Sequence, residues 1–323
     1  YEISLGWRDS FKLAGSTFNY SVRGSLSDYV SHITRYANNP DKRLNDYYVG
    51  QRIGELWGFV VDGLFATDEE AQDYQNNVLD ALTLIGNGRM RGGFLAGDLR
   101  YVDLDNDQSG PNGINQLSYG SNTVKDPGDR KILGNQLPSL MYGINVAFDW
   151  KGFDISAFFQ GTGNHYWYPA GMNISFWGPY SYPYVTTFQP RDFMRNVWSE
   201  ENPDAYFPRA RGYSSTGGEL KLINSRYLQN IRYLRFKNLT VGYTVPKKLT
   251  QLIHVDKVRF YFSGENLAYW SPLKKHTKYL DPESAYRRKT DVDGNGVYKN
   301  GDASDAAAYP WQKTLMFGVD ITF

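Results

Sequence analysis

The chain has 323 residues, a net charge of +1 and a mean hydropathy of −0.55. No run approaches the roughly 18 apolar residues of a membrane-spanning helix, the near-neutral balance gives no basic nucleic-acid surface, and the absence of cysteine excludes a disulfide framework. A negative hydropathy leaves a membrane barrel open, because half of each barrel strand is polar. Aromatics make up 16% of the chain, a supply that suits interfacial girdles or a carbohydrate-binding surface.

In chain order, seven segments alternate with strand period: 1–8, 16–30, 140–150, 153–162, 231–245, 257–270 and 311–323. Tyr1, Ile3, Leu5 and Trp7 share one face of the first, and Phe18, Tyr20 and Val22 share one face of the second. Ile144/Val146/Phe148 and Phe153/Ile155/Ala157/Phe159 follow, then Leu239/Val241/Tyr243/Val245 and Val258/Phe260/Phe262. The last segment sets Leu315, Phe317, Val319, Ile321 and Phe323 against Met316, Gly318, Asp320 and Thr322. Bulky apolar residues on one face and small or polar ones on the other describe a strand between lipid and a watery lumen. Tyr1 already stands in an alternating segment with no leader pattern, so the chain reads as the continuation of something larger.

The connections alternate in length. Arg8–Gly15, Asp149–Gly152 and Pro246–Asp256 are short, whereas 31–139, 163–230 and 271–310 are long. One-sided long loops fit an outer-membrane barrel whose long loops face outside, better than a soluble sandwich with turns at both ends. Phe323 then falls on the periplasmic side. An open seven-strand sheet would leave unpaired edges in lipid, so the segments are expected to be the C-terminal seven strands of a larger antiparallel transmembrane β-barrel, an all-β fold.

The ordered residues carry a resemblance. Tyr47-Tyr-Val-Gly-Gln-Arg-Ile-Gly-Glu-Leu-Trp-Gly58 leads to Val61-Asp-Gly-Leu-Phe65, Gly97-Asp-Leu-Arg-Tyr-Val-Asp103 and Asp129-Arg-Lys-Ile-Leu-Gly-Asn135. Then come Lys151-Gly-Phe-Asp-Ile-Ser-Ala-Phe-Phe-Gln-Gly161, Asn202-Pro-Asp-Ala-Tyr-Phe-Pro-Arg209 and Tyr233-Leu-Arg-Phe-Lys-Asn-Leu-Thr-Val-Gly-Tyr-Thr-Val-Pro-Lys-Lys248. Gly264-Glu-Asn-Leu267, Trp270-Ser271 and Asp281-Pro-Glu283 complete the set. Together they resemble the C-terminal part of SusC/RagA-type TonB-dependent outer-membrane transporters of Bacteroidota. The resemblance implies that 1–323 is one unit of a barrel of about 22 strands with long extracellular loops. It also implies an N-terminal plug, a SusD-like surface lipoprotein as a lid, and TonB as the energy source. Phe323, as a terminal aromatic, resembles the signal read by the barrel-assembly machinery.

Two acidic loops suggest calcium. Asp291, Asp293 and Asn295, with Gly296 at position six and Asp302 at position twelve, match the oxygen-ligand spacing of an EF-hand-type loop. Asp302 replaces the usual bidentate Glu, and a solvated Asp/Gly turn explains the same residues. Asp103, Asp105 and Asp107 form a second candidate, with Gln108 at position six and Ile114 at position twelve. Here further ligands must come from Asp126 or Asp129, and an acidic surface loop is the alternative. Either ion, expected to be structural Ca2+, would pin a long loop.

The loop 163–230 is dense in aromatics: Tyr166, Trp167, Tyr168, Phe176, Trp177, Tyr180, Tyr182 and Tyr184. Flat aromatic faces stack on sugar rings, so these residues are candidates to contact an oligosaccharide or, through backbone hydrogen bonds, a peptide. Girdle positions or packing of the loop on itself or on the lid would use the same residues. Asp320, Glu265 and Arg259 are lumen candidates. No HExxH, nucleophile elbow or phosphate loop is present and the four His are scattered, so no enzyme is expected. A secreted or surface β-rich glycan-binding protein or adhesin is the alternative to a transporter.

Overall fold

The structure, a computed structural model, describes residues 1–86, 90, 92–185, 192–277, 280–285 and 311–323. Seven long strands form one antiparallel sheet in chain order: β1 (Glu2–Leu13), β2 (Ser16–Ser27), β3 (Ser139–Trp150), β4 (Phe153–Asn164), β5 (Tyr233–Thr244), β6 (Lys257–Trp270) and β7 (Thr314–Thr322). Each of the seven expected segments is one of these strands. Most have 12 residues, enough to cross a bilayer at a tilt. No helix among the described residues is long and apolar enough to cross a membrane.

The register sorts side chains into rows. Tyr20, Phe148, Ile155, Val241, Phe262 and Phe317 stand side by side across β2–β7. The next row towards the short turns is Phe18, Trp150, Phe153, Tyr243, Phe260 and Val319. The opposite face carries Ser21, Ala147, Ser156, Thr240, Ser263 and Met316, then Arg23, Asn145, Phe158, Asn238, Glu265 and Thr314. Apolar rows on one face and mainly polar rows on the other are what lipid and a wet lumen require. Rings cluster near the short turns: Phe11–Phe18 centroids are 5.1 Å apart, Phe18–Phe148 5.7 Å and Phe153–Tyr243 4.6 Å, placed as an interfacial aromatic girdle.

β1 runs farther than expected. Arg8–Leu13 pairs with Ser16–Ser21 through a tight turn at Ala14 and Gly15, whose φ values are 46° and 80°. Polar Arg8, Asp9 and Ser10 hide this extension from a hydrophobicity pattern. β1 and β7 each have one partner strand, so the seven strands form an open sheet.

The described parts of the long connections are folded. Parts of 31–139, 163–230 and 271–285 fold together at one end of the sheet around a shared core that includes Phe59, Phe65, Leu99, Tyr101, Trp177, Phe207, Tyr227, Ile231 and Leu273. Glu55–Phe59 pairs with Arg130–Asn135, and Val61–Leu64 with Leu99–Tyr101. The Phe59 N–H donates to Ile223 O (2.8 Å) and Ser225 N–H to Phe59 O (2.9 Å), tying the first connection to the second. A helix, α1 (Asp68–Asn77), starts where the Thr67 hydroxyl accepts the Glu70 N–H, an N-cap. Buried Asp98 pairs with Arg211 at 2.5 Å, another link between the two connections.

Candidate functional site

Most of the aromatic loop builds this cap. Trp177 is fully buried, edge-on to Phe176 (4.8 Å) and Tyr227 (5.4 Å), and its indole N–H donates to Ala170 O. Tyr180 is buried, lies parallel to Phe207 and donates to Pro208 O (2.6 Å). Trp167 is buried edge-on to Phe176, and the Tyr168 hydroxyl donates to Leu220 O and Leu222 O. The Tyr166 ring lies over Gly134, where a Cβ would meet it at 2.8 Å. Trp167, Trp177 and Tyr180 are thus buried in the cap, Tyr166, Tyr168 and Tyr182 are half-buried, and Tyr184 is open to solvent. Tyr184 is 68% exposed. Tyr182 and Tyr184 both contact Tyr213, with centroids at 6.0 Å and 6.5 Å. Tyr213 has φ +63° and lies 29 residues after Tyr184, so nothing local in the sequence marks it as their neighbour.

The second acidic loop brings two of its own carboxylates together with a distant one. Ligand oxygens of Asp103, Asp105 and Asp129 all lie within 4.8 Å of one another, which brings in Asp129 from the two distant candidates. Asp129 is buried and accepts the N–H groups of Leu104 (2.7 Å) and Ser118 (2.8 Å). Burial pushes its carboxyl up to about 6 against those two hydrogen bonds, with the nearby Asp105 charge adding to the rise. Asp105 is also raised, by burial and then by Asp107 and Asp103. Asp107 points elsewhere: it accepts from Ser109 and Gln116, and those bonds lower its carboxyl against its own burial. Asp126 is held by Ser121. Asn106 and Gln108 take φ values of 55° and 49°, so the loop makes its left-handed turns without the glycine of an EF-hand-type loop. An oxygen-only donor set of three carboxylates fits a hard cation such as Ca2+. The other candidate, Asp291, Asp293, Asn295 and Asp302, lies outside the described residues.

On the polar face, Arg259 pairs with Asp154 at 2.7 Å and Asp320 at 3.2 Å, linking β4, β6 and β7. Where β5 enters the cap, Tyr233, Arg235 and Lys237 grip the returning connection. Buried Arg235 pairs with Asp281 (2.5 Å) and Glu283 (3.1 Å), Lys237 pairs with Glu283 (3.0 Å), and the Tyr233 hydroxyl donates to Glu283 (2.7 Å). The sequence singles out Asp281-Pro-Glu283, but not its partners.

No family model matches the chain. Two curated proteins of Formosa agariphila are similar in sequence. TonB-dependent receptor P26 is 27% identical over 195 residues, 60% of this chain and 18% of the relative. TonB-dependent receptor P3 is 28% identical over 274 residues, 85% of this chain and 22% of the relative. The chain thus spans about a fifth of the length of these relatives. Among solved structures, the RagAB peptide transporter aligns over 99% of this chain and 28% of its own, at 15% identity and a TM-score of 0.56. The RagAB peptide importer in its "closed-closed" state aligns over 100% of this chain and 29% of its own, at 14% identity and a TM-score of 0.56. By sequence the chain is similar to TonB-dependent receptors, and by fold to RagAB.

Proposed function

We propose that the chain supplies strands and outer loops to an outer-membrane importer of large nutrients. TonB drives it, and a SusD-like lipoprotein sits over the cap. The carrying observation is the seven-strand sheet with apolar rows on one face, polar rows on the other, and the described parts of the long connections at one end. That end is the extracellular one in this reading. The TonB-dependent receptors similar in sequence support energised import, and the two-component name of the RagAB structures supports a partner.

Oligosaccharides are the proposed cargo, bound partly by the Tyr182/Tyr184/Tyr213 cluster. Peptides are the second reading, favoured by the peptide-transporting structural neighbours. Calorimetry of the purified full-length complex against panels of oligosaccharides and peptides tests both. Binding of oligosaccharides alone supports the first, and binding of peptides alone overturns it. Asp103, Asp105 and Asp129 would hold a structural Ca2+ that pins the 103–129 loop to the cap, with no part in chemistry.

A further inference from the structure

We propose that Glu219 is a proton-held clasp inside the cap. Buried between the first and second long connections without a cation of its own, its side chain is a neutral acid in the closed cap, and the clasp weakens as rising pH draws that proton away. The clasp acts on the cap's own stability, whatever the cargo.

Glu219 begins the 3-10 turn Glu219–Lys221, which follows the short helix Ser214–Gly217, and it is fully buried beside Leu220. Its Oε2 accepts the Leu99 N–H (3.1 Å), and its backbone carbonyl accepts the Tyr101 hydroxyl (2.7 Å). Leu99 and Tyr101 belong to the first connection and Glu219 to the second, so both bonds tie the two together. The other carboxyl oxygen, Oε1, is buried and has no hydrogen-bond partner among the described residues.

The nearby cation is already engaged. Asp98, also fully buried, precedes Leu99. Arg211 closes on it with two donors, Nε to Oδ1 at 2.8 Å and Nη2 to Oδ2 at 2.5 Å, and the Leu95 N–H adds a third bond (2.8 Å). The other titratable groups that act on Glu219 among the described residues are the neutral hydroxyls of Tyr101, Tyr168 and Tyr180. Tyr168 and Tyr180 donate theirs to Leu220 O and Pro208 O. Lys221 is exposed, and Arg209 pairs with Asp68 at 3.7 Å. Two buried carboxyls thus share one guanidinium, which is bound to Asp98. A carboxylate out of water, with one bare oxygen and no cation of its own, neutralises by holding a proton. Burial lifts the Glu219 carboxyl well above its ordinary value, the Asp98 charge adds to the rise, and Leu99 and Arg211 oppose it. Asp98 is lifted by its own burial and drawn back by Arg211.

The direction of the pH effect follows. When the cap opens, Glu219 meets water and ionises near its ordinary value of 4.5. Below that pH the open and closed forms both keep the proton, and the clasp holds in full. Above it only the closed form keeps the proton, so closure weakens by about tenfold per pH unit until the raised value of the closed form is reached. Tyr213 stands two residues after Arg211, and the Ser214 hydroxyl donates to Arg211 O (2.9 Å). Loosening at Glu219 therefore reaches the Tyr182/Tyr184/Tyr213 cluster.

The test is hydrogen exchange of the full-length protein from about pH 5 to about pH 8, with intrinsic exchange rates divided out. Wild type is compared with Glu219→Gln, which keeps an acceptor for Leu99 and has no proton to lose, after matching heat-modifiable gel mobility shows both folded. Protection in 97–101 and 211–222 should fall by about tenfold per pH unit in wild type, and Glu219→Gln should remove that one-proton slope. Equal slopes in the two proteins overturn the proposal. Wild-type protection that stays constant across the range overturns it without any variant. Asp129, pushed up to about 6 in the neighbouring acidic loop, titrates in the same window, so Asp129→Asn is measured alongside. Its slope in 211–222 should match wild type, and a slope lost there would give the proton to Asp129 and overturn the assignment to Glu219.

Discussion

Arg259 holds Asp154 across an intervening strand. The guanidinium starts on β6 and passes over Gly242 of β5 to the carboxylate on β4, with N–O distances of 3.0 Å and 2.7 Å. A Cβ at Gly242 would stand 2.5 Å from the Asp154 carboxylate and 2.6 Å from Arg259 Nη2. The glycine is therefore the floor on which the bridge lies. Gly242→Val should displace Arg259 and cost about 1–3 kcal/mol through crowding. Arg259→Met, with its partners half open to solvent, should cost no more than about 1 kcal/mol. Urea unfolding of the full-length barrel, read by gel mobility, checks the order. A larger loss for Arg259→Met than for Gly242→Val would refute the account.

The cap is latched to β5 by a buried charge cluster. Arg235 and Asp281 are nearly inaccessible, and removing the Asp281 charge leaves buried Arg235 with Glu283 alone, a carboxylate it already shares with Lys237. Asp281→Asn should therefore destabilise the attachment of 280–285, by less than the roughly 3–5 kcal/mol of a fully unpaired buried charge. The strands below should stay paired. Hydrogen exchange should show faster exchange in 271–285 with β3 and β4 unchanged. If β3 and β4 also exchange faster, the latch is part of the sheet's own stability.

The strand rows were legible because lipid and water impose opposite demands on alternate residues, and Leu315–Thr322 displays both. The cap was not. In the sequence Trp177 and Tyr180 stand as ligand candidates or as packing of the loop on itself, because a loop aromatic looks the same whether it faces sugar or core. What buries them, Phe207 and Tyr227, stands well along the chain from Trp177. Thr67 and Glu70 mark the start of α1, a helix that the strand-period reading does not include. Asp129 joined the acidic candidates only as one of two options, since its place depends on how residues 104–129 close. Spacing says nothing about that closure when the turn residues are Asn106 and Gln108 rather than glycine.

The aromatic residues should divide into two classes on substitution. Trp177→Ala removes a fully buried ring and should cost about 3–5 kcal/mol of cap stability. Tyr184→Ala removes an exposed ring and should leave stability within about 0.5 kcal/mol. If the Tyr182/Tyr184/Tyr213 cluster stacks on ligand, Tyr184→Ala should weaken binding by about 0.5–1.5 kcal/mol. Thermal unfolding and calorimetry with the bound nutrient separate the classes. Unchanged affinity in Tyr184→Ala would remove this cluster from the ligand path.

Calcium should act on the cap and not on the sheet. With Asp103, Asp105 and Asp129 converging, added Ca2+ should slow proteolysis within 103–129, and a chelator should reverse this. At a free concentration 100 times the dissociation constant, the stabilisation would be about 2.7 kcal/mol. Asp105→Asn should abolish the response, because Asp105 supplies an exposed carboxylate to the group. Asp107→Asn should preserve it, since that carboxylate is occupied by Ser109 and Gln116. A calcium response that survives Asp105→Asn would place the ion elsewhere.

Phe323 follows β7 with 91% of its surface exposed, and its neighbours in sequence already pair with β6 as far as Thr322. The ring adds no packing to the described sheet, so deleting it should leave the stability of the assembled barrel within about 0.5 kcal/mol. A ring read during assembly would act before folding is complete. Deletion should then reduce the amount of folded protein in the outer membrane without changing the unfolding midpoint of what does assemble. Quantitative blotting of outer-membrane fractions, beside unfolding of the purified variant, distinguishes the two. Normal membrane levels would deny Phe323 a role in assembly, and a lowered midpoint would show that its ring is packed against a part of the barrel beyond these seven strands.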